Sequence, residues 1–269
     1  MQAASGRLHR PYHRTGPSHR AGADVSFGDI VKIFGFQSIR IGRWVTAAEQ
    51  QLAANLFFDA LSDLQLLLQV PLAVISLNET LALTFGIGGS AGSCAHYQPQ
   101  GRILALAKNA GGGSLAHEWF HAFDHYIAPR LFQLPAQQRF AFASSQWLQQ
   151  PEWISHPLNE LLAQAFACLF LSKDGQQSSE FFLRCRHYDA AHQLCYYAKP
   201  EEMAARAFEQ MLQRQPLRNS FLVSGCLAGP AVTAGLYPDE AQSQQLAALW
   251  LGYFQQLGLL LTRQQQRPV

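Results

Sequence analysis

The chain has 269 residues, of which 48% are hydrophobic and 14% charged, and its net charge at pH 7 is +2. A chain of this kind buries a substantial core, as one large domain or one domain with subdomains, and is not intrinsically disordered. The near-neutral total lends no support to a general nucleic-acid or membrane role, although the charge is unevenly spread. Cys94, Cys168, Cys185, Cys195 and Cys226 are odd in number and form no C-x-x-C pair. That pattern fits free thiols in a reducing compartment better than a disulfide framework or a zinc ribbon.

Residues 1–24 mix Arg, His, Pro and Gly without periodicity and include Arg7, Arg10, Arg14 and Arg20 with His9, His13 and His19. They read as a flexible or loosely docked basic arm, a solvated tail in preference to a weak metal or anion site, ahead of one domain over residues 25–269. The arm lacks an apolar signal-peptide core and no later stretch reads as a membrane span, so the expected location is the cytoplasm, with no membrane partner.

From Phe27 the chain turns apolar, and Ile30 to Ile41 leaves short strands and a turn-rich entry both open. Thr46 to Gln69 is the clearest long helix, with Thr46 as its cap and Leu52, Leu56, Phe57, Ala60, Leu61, Leu64 and Leu67 at helical spacing. Its expected role is to cover a sheet formed by Leu72–Leu77, Leu81–Phe85 and Ile103–Lys108, short apolar runs bounded by turn residues. Gly86 to Gly92 lacks the Lys-Ser or Lys-Thr of a phosphate loop and opens no helix, so it reads as a hairpin or a flap near a cleft. His96 and Tyr97 follow, either facing that cleft or forming a hydrogen-bonded pair in the sheet.

The next stretch carries the chemistry. Gly111-Gly112-Gly113 breaks the preceding segment, Ser114 is placed to cap a helix, and His117-Glu118-Trp119-Phe120-His121 is an H-E-x-x-H run. Residues four apart on a helix are separated by only about 40° of rotation, so both imidazoles leave one face and can share a metal ion. Zinc suits the site: it accepts imidazole nitrogen and, with three protein ligands, keeps a fourth position for water. Glu118 is placed to take a proton from that water and pass it to the leaving group. The rival reading is a simple hydrogen-bonded or exposed histidine pair. His125 lies about 80° round from His117, too far to converge on the same ion, and reads as a surface group or a support to the site. Asp124 either orients an imidazole or makes a salt bridge on the helix surface.

The N-terminal part of the domain, residues 25–128, is expected to be α/β, and residues 129–269 mainly helical. Leu158–Leu171, Ser178–His187, Glu201–Arg214 and Asp239–Leu261 read as helices, the third begun by Pro200, and Gly225–Gly235 as a loop. A catalytic zinc site needs a third protein ligand. Glu160 and Glu202 each open the same pattern, a Glu followed by small Ala residues that let helices pack closely, and spacing does not choose between them.

The pairing of H-E-x-x-H with a later E-x-x-A-x-A-F is similar to gluzincin metallopeptidases, including the anthrax lethal factor type, in which the Glu opening the second motif is the third ligand. Phe34-Gly-Phe, Trp44-Val, Ala73-Val-Ile-Ser-Leu-Asn78, Ala95-His-Tyr, the run from Leu104 through Asp124, and Glu202-Met-Ala-Ala-Arg-Ala-Phe-Glu209 resemble the large polyvalent-protein-associated domain. They are closer still to its free-standing bacterial relatives, the CLCA_X family, over nearly the whole chain from residue 25. The resemblance implies an α+β, zincin-like fold: a small twisted sheet packed on the active-site helix, with a mainly helical C-terminal half. It implies His117, His121 and Glu202 as zinc ligands and Glu118 as base, with Glu160 as runner-up. Phe120 stands where polyvalent domains often have Gly, and Arg206 where the lethal-factor pattern has Glu, which bears on substrate preference.

The activity so implied is zinc-dependent hydrolysis of peptide bonds in a peptide or protein substrate. Tyr196 or Tyr197, shortly before the third ligand, would donate to the developing oxyanion, or both pack at an interhelical corner. The competing class is a non-catalytic metal-binding or interaction module associated with mobile genetic elements, with nucleic acid reached through the Arg-rich arm.

Overall fold

The computed structural model describes residues 7–87, 95–107 and 112–265. Among them are ten α-helices and one mixed sheet of four strands, so the protein is α+β and mostly helical. The chain clusters into two compact units, Met1–Ala122 with Gln215–Ser224, and Phe123–Arg214 with Gly225–Val269.

In the first unit, α1 (Phe27–Phe34) occupies much of the stretch left open by the sequence. Ser26 and Asp29 form a reciprocal capping box, and Gly35 ends the helix at φ 71°, where its N–H reaches the Val31 carbonyl. β1 (Ser38–Ile41) follows, then α2 (Ala47–Leu68), begun at Thr46 by a second capping box with Glu49. Leu72–Leu77, expected as a strand, instead begins with the short helix α3 (Leu72–Ile75). Pro71 supplies the φ of a helix entry, and Leu77, Asn78 and Glu79 all lie at positive φ, closing a tight turn that a strand cannot contain. A four-residue apolar run does not by its periodicity distinguish the two outcomes.

β2 (Ala82–Phe85), β3 (Ala95–Gln98) and β4 (Ile103–Leu106) complete the sheet in the order β1-β2-β4-β3. β1 with β2 and β2 with β4 are parallel, in register at Ser38↔Ala82 and Ala82↔Ile103. β3 is antiparallel to β4 at the other edge, with Ala95 opposite Leu106. The central β2 is buried along its whole length and reads as continuous Ala-Leu-Thr-Phe, whereas edge strand β1 alternates between exposed and half-buried. Of the expected hairpin or flap over Gly86–Gly92, only Gly86 and Ile87 belong to the described residues. α4 (Leu115–Leu131), the H-E-x-x-H helix, comes next after β4.

The basic arm is tied to α2 at three side chains. The fully buried Asp63 carboxylate accepts from Arg14 Nε at 2.6 Å and Nη2 at 2.7 Å, from Asn219 Nδ2 at 2.8 Å, and meets His19 Nε2 at 2.7 Å. Arg20 pairs with Asp59 at 3.0 Å. A carboxylate taken out of water requires such partners, and the arm supplies most of them.

The second unit holds α5 (Ala143–Trp147), α6 (Pro157–Phe170), α7 (Glu180–His192), α8 (Pro200–Arg214), α9 (Pro230–Thr233) and α10 (Glu240–Gln265). α10 packs against α6 and α8, where Phe208, Trp250 and Phe254 are fully buried. The expected loop Gly225–Gly235 contains the single turn of α9, begun by Pro230 at its first position. Among the described residues no helix is long and apolar enough to cross a membrane.

Candidate metal centre

Glycine sets the start of α4. A Cβ on Gly112 would lie 2.6 Å from Phe221 Cα, and Gly113 takes φ 110°, so residues 219–224 lie directly against the helix entry. Gly113 N–H donates to the Phe221 carbonyl at 2.7 Å and, within the first turn, Ala116 N–H donates to the Leu222 carbonyl at 3.0 Å, so backbone from a distant segment satisfies one of the donors that a helix start leaves unpaired. Ser114 does not cap with its side chain. Its hydroxyl is buried and makes no hydrogen bond, because those carbonyls have taken the role. Inside the unit, the buried Trp119 indole N–H donates to the Ile75 carbonyl at 2.9 Å, fixing the rotation of the helix about its axis.

The i, i+4 spacing on α4 brings the two histidines together. His117 and His121 are both buried, their Nε2 atoms are 3.1 Å apart, and their ring planes are inclined at 78°. Two nitrogens bound to one zinc ion at about 2.0–2.1 Å in tetrahedral geometry lie about 3.3 Å apart, so the pair is spaced for a shared ion. One ligand atom from each of His117, His121 and Glu202, the last in the first turn of α8, lies within 4.8 Å of the others, a group that could hold a metal ion. Two imidazoles and one carboxylate are a donor set of catalytic zinc, and the residues fit that ion. Glu160 is exposed on α6 and is not part of the group.

Glu118 is half-buried, and its Oε2 accepts from the backbone N–H of Tyr97 at 2.7 Å. The main chain of β3 therefore meets the carboxylate. Burial pushes the Tyr97 phenol above its ordinary range, so it stays protonated. His96 and Tyr97 are both paired rungs of the sheet, opposite Ala105 and Leu104 of β4, and the His96 ring also lies 2.9 Å from the Gln98 amide in an exposed side-chain contact.

The residues flanking the motif differ from expectation. His125 is 3% exposed, and its Nε2 lies 2.9 Å from the Arg139 carbonyl between Phe140 and Phe142, so it is a core histidine and not a surface one. Asp124 is 1% exposed and among the described residues forms no salt bridge; it accepts from Ser144 N–H at 2.9 Å and Ser144 Oγ at 2.5 Å. Burial pushes its carboxyl up to about 7 against the lowering effect of those bonds. The neighbouring Ser145 hydroxyl donates to Glu201 at 2.6 Å. Ser144 and Ser145 thus link Asp124, one turn beyond His121, to the residue before Glu202.

Tyr196 and Tyr197 lie in the connection from α7 to α8. Backbone N–H groups of Tyr196, Tyr197 and Ala198 all donate to the Asp189 carboxylate, at 3.0, 3.0 and 2.9 Å. Burial opposes ionisation of Asp189, yet those donors hold its carboxyl below the usual range. Tyr197 packs edge-on against Tyr188, with the Arg206 guanidinium 5.0 Å from its ring, while Tyr196 is 42% exposed. Arg206 is buried and donates to the Leu236 carbonyl at 2.9 Å and to the Tyr197 carbonyl. It braces the corner ahead of Glu202.

Asp189, the Ser144–Ser145 link and the Tyr97 amide were not singled out by sequence reasoning. Residues 188–261 match the family described as large polyvalent protein-associated domain 1, a stretch that includes Glu202 but not the H-E-x-x-H run. No curated protein and no solved structure matches the chain.

Proposed function

We propose that the protein is a zinc-dependent metallopeptidase of gluzincin type with a zincin-like fold, allied to the CLCA_X family. The observation that carries this reading is the convergence of the His117 and His121 Nε2 atoms, 3.1 Å apart, with the Glu202 carboxylate in the same group. Zinc bound by these three residues would supply a Lewis acid that makes water nucleophilic at neutral pH.

The remaining work falls to side chains and backbone of this protein. Glu118 accepts the proton of the attacking water and delivers it to the leaving amine, with the Tyr97 N–H orienting its carboxylate. Among the described residues β3 is the terminal strand of the sheet, so an extended peptide pairing with its outer edge would run alongside Glu118. Tyr196 or Tyr197 would donate to the developing oxyanion; Tyr197 packs against Tyr188 and Arg206, and Tyr196 packs against Tyr197.

A second reading is a non-catalytic metal-binding module associated with mobile genetic elements. The observation in its favour is that the family match covers the Glu202 helix and leaves the histidine helix outside. One comparison separates the two: zinc content and cleavage of an unbiased peptide library by the wild type and by Glu118→Gln. Zinc in both proteins with cleavage by the wild type alone supports the peptidase. Zinc in both with cleavage by neither overturns it in favour of the module.

A further inference from the structure

The carboxyl ends of the parallel strands β1 and β2 open onto a cavity of 510 Å³ whose lining includes Arg40, Gly42, Arg43, Trp44 and Gly86. Its construction starts from a glycine. A Cβ on Gly42 would lie 2.0 Å from the Gly86 carbonyl oxygen, so only glycine lets the two backbones approach this closely. Gly42 N–H donates to the Phe85 carbonyl at 2.8 Å, and two residues on, the Trp44 indole N–H reaches the Gly86 carbonyl at 2.5 Å. The indole is anchored through its one polar atom, yet 52% of the residue is exposed. Large aromatic side chains usually bury their surface, and this one is held out by a specific bond.

Two cations flank it. Arg40 and Arg43 are both exposed, and among the described residues neither makes an ion pair. Arg14 and Arg20 of the N-terminal arm, by contrast, are engaged with Asp63 and Asp59. The positive charge expected of the arm is therefore partly neutralised within the fold, while the charge beside Trp44 is not. A guanidinium stays charged at all relevant pH and presents a planar fork matched to phosphate oxygens. An anchored indole face is a platform on which a base stacks irrespective of sequence. An acidic peptide would use the arginines and leave the indole uncovered.

We propose that this cavity binds a nucleotide unit, free or within single-stranded nucleic acid, with the base on Trp44 and the phosphate between Arg40 and Arg43. No Gly-rich phosphate cradle is required, since the anion contacts come from side chains. The proposal does not depend on the metal centre.

The test is fluorescence anisotropy of a labelled oligo(dT) with the full chain at 50 and 200 mM salt, in competition with thymidine monophosphate and with polyglutamate. Wild-type binding should weaken with salt, and the Arg40→Ala/Arg43→Ala double variant should bind at least about tenfold more weakly with a flatter salt dependence. Trp44→Ala should cost about tenfold without changing that dependence, and Trp44→Phe should retain most of the affinity. Competition by the mononucleotide identifies the free nucleotide as a sufficient ligand; binding of the oligonucleotide alone identifies the strand. Absence of binding, binding unchanged in the double variant, or equal displacement by polyglutamate would overturn the proposal. The arginine side chains are exposed, so the double variant remains informative if Trp44→Ala fails to fold.

Discussion

Asp124→Asn isolates the electrostatic cost of burying a carboxylate one turn beyond His121. Asp124 is 1% exposed and its carboxyl is raised from 3.8 to about 7, with burial as the largest cause. A rise of about three pKa units corresponds to about 4 kcal/mol. The direction follows from proton counting: between about pH 4 and pH 7 the native state holds a proton that the unfolded chain has released, so wild-type stability falls as pH rises through this window. Asn carries no titrating proton. Its Oδ1 can still accept from Ser144 N–H and its Nδ2 can donate to Ser144 Oγ, which keeps the fixed cost of the substitution to about 1–2 kcal/mol. Urea unfolding of both proteins should be followed from pH 4.5 to 7.5 with a chelator present, so that metal linkage does not enter. The stability of the Asn protein relative to wild type should climb by about 3–4 kcal/mol across the range and level off above pH 7. A difference that stays constant within about 1 kcal/mol would refute the assignment of Asp124 as a buried, near-neutral acid.

Asp63→Ala should lower stability by about 3 kcal/mol in urea unfolding, because it leaves Arg14 and Asn219 without their buried acceptor; the part exposure of Arg14 keeps the loss at the lower end of such cases. Asp189→Ala removes the acceptor of three N–H groups ahead of Glu202 and should weaken zinc binding about tenfold, measured by chelator competition. Since the Asp189 carboxyl is held below its usual range, its stabilising contribution should be present above about pH 4 and vanish as pH falls through the lowered value, a trend that the Ala variant should lack. Gly112→Ala drives a Cβ into Phe221 and should reduce both thermal stability and zinc affinity, whereas a silent substitution would contradict the packing at the entry to α4.

How much was legible in the sequence depended on where each signal was stored. α2 was readable because Thr46 and Glu49 cap an extended periodic pattern, and α8 because Pro200 and two acidic residues mark its first turn. α1 carries an equally local signal in Ser26 and Asp29, but its short apolar run suits a strand as well as a helix. α3 was misassigned because Leu-Ala-Val-Ile suits strand and buried helix alike, and the positive φ of Asn78 and Glu79 leaves no reliable mark in residue type. The histidine pair followed from helical geometry alone. Glu160 and Glu202 share one local pattern, so choosing between them required either family likeness or coordinates. The contacts of Glu118 with the Tyr97 amide and of Asp189 with three amides could not be read at all, because backbone donors are common to nearly every residue.

The most direct test of the central claim is the zinc affinity of four proteins at pH 7: wild type, His121→Ala, Glu202→Gln and Glu160→Gln, by competition with a chromophoric chelator. One equivalent should bind tightly to the wild type and to Glu160→Gln, with a loss of at least about 100-fold for Glu202→Gln and His121→Ala. A wild type that takes up no zinc, or a Glu202→Gln protein that binds as tightly as the wild type, would contradict the account.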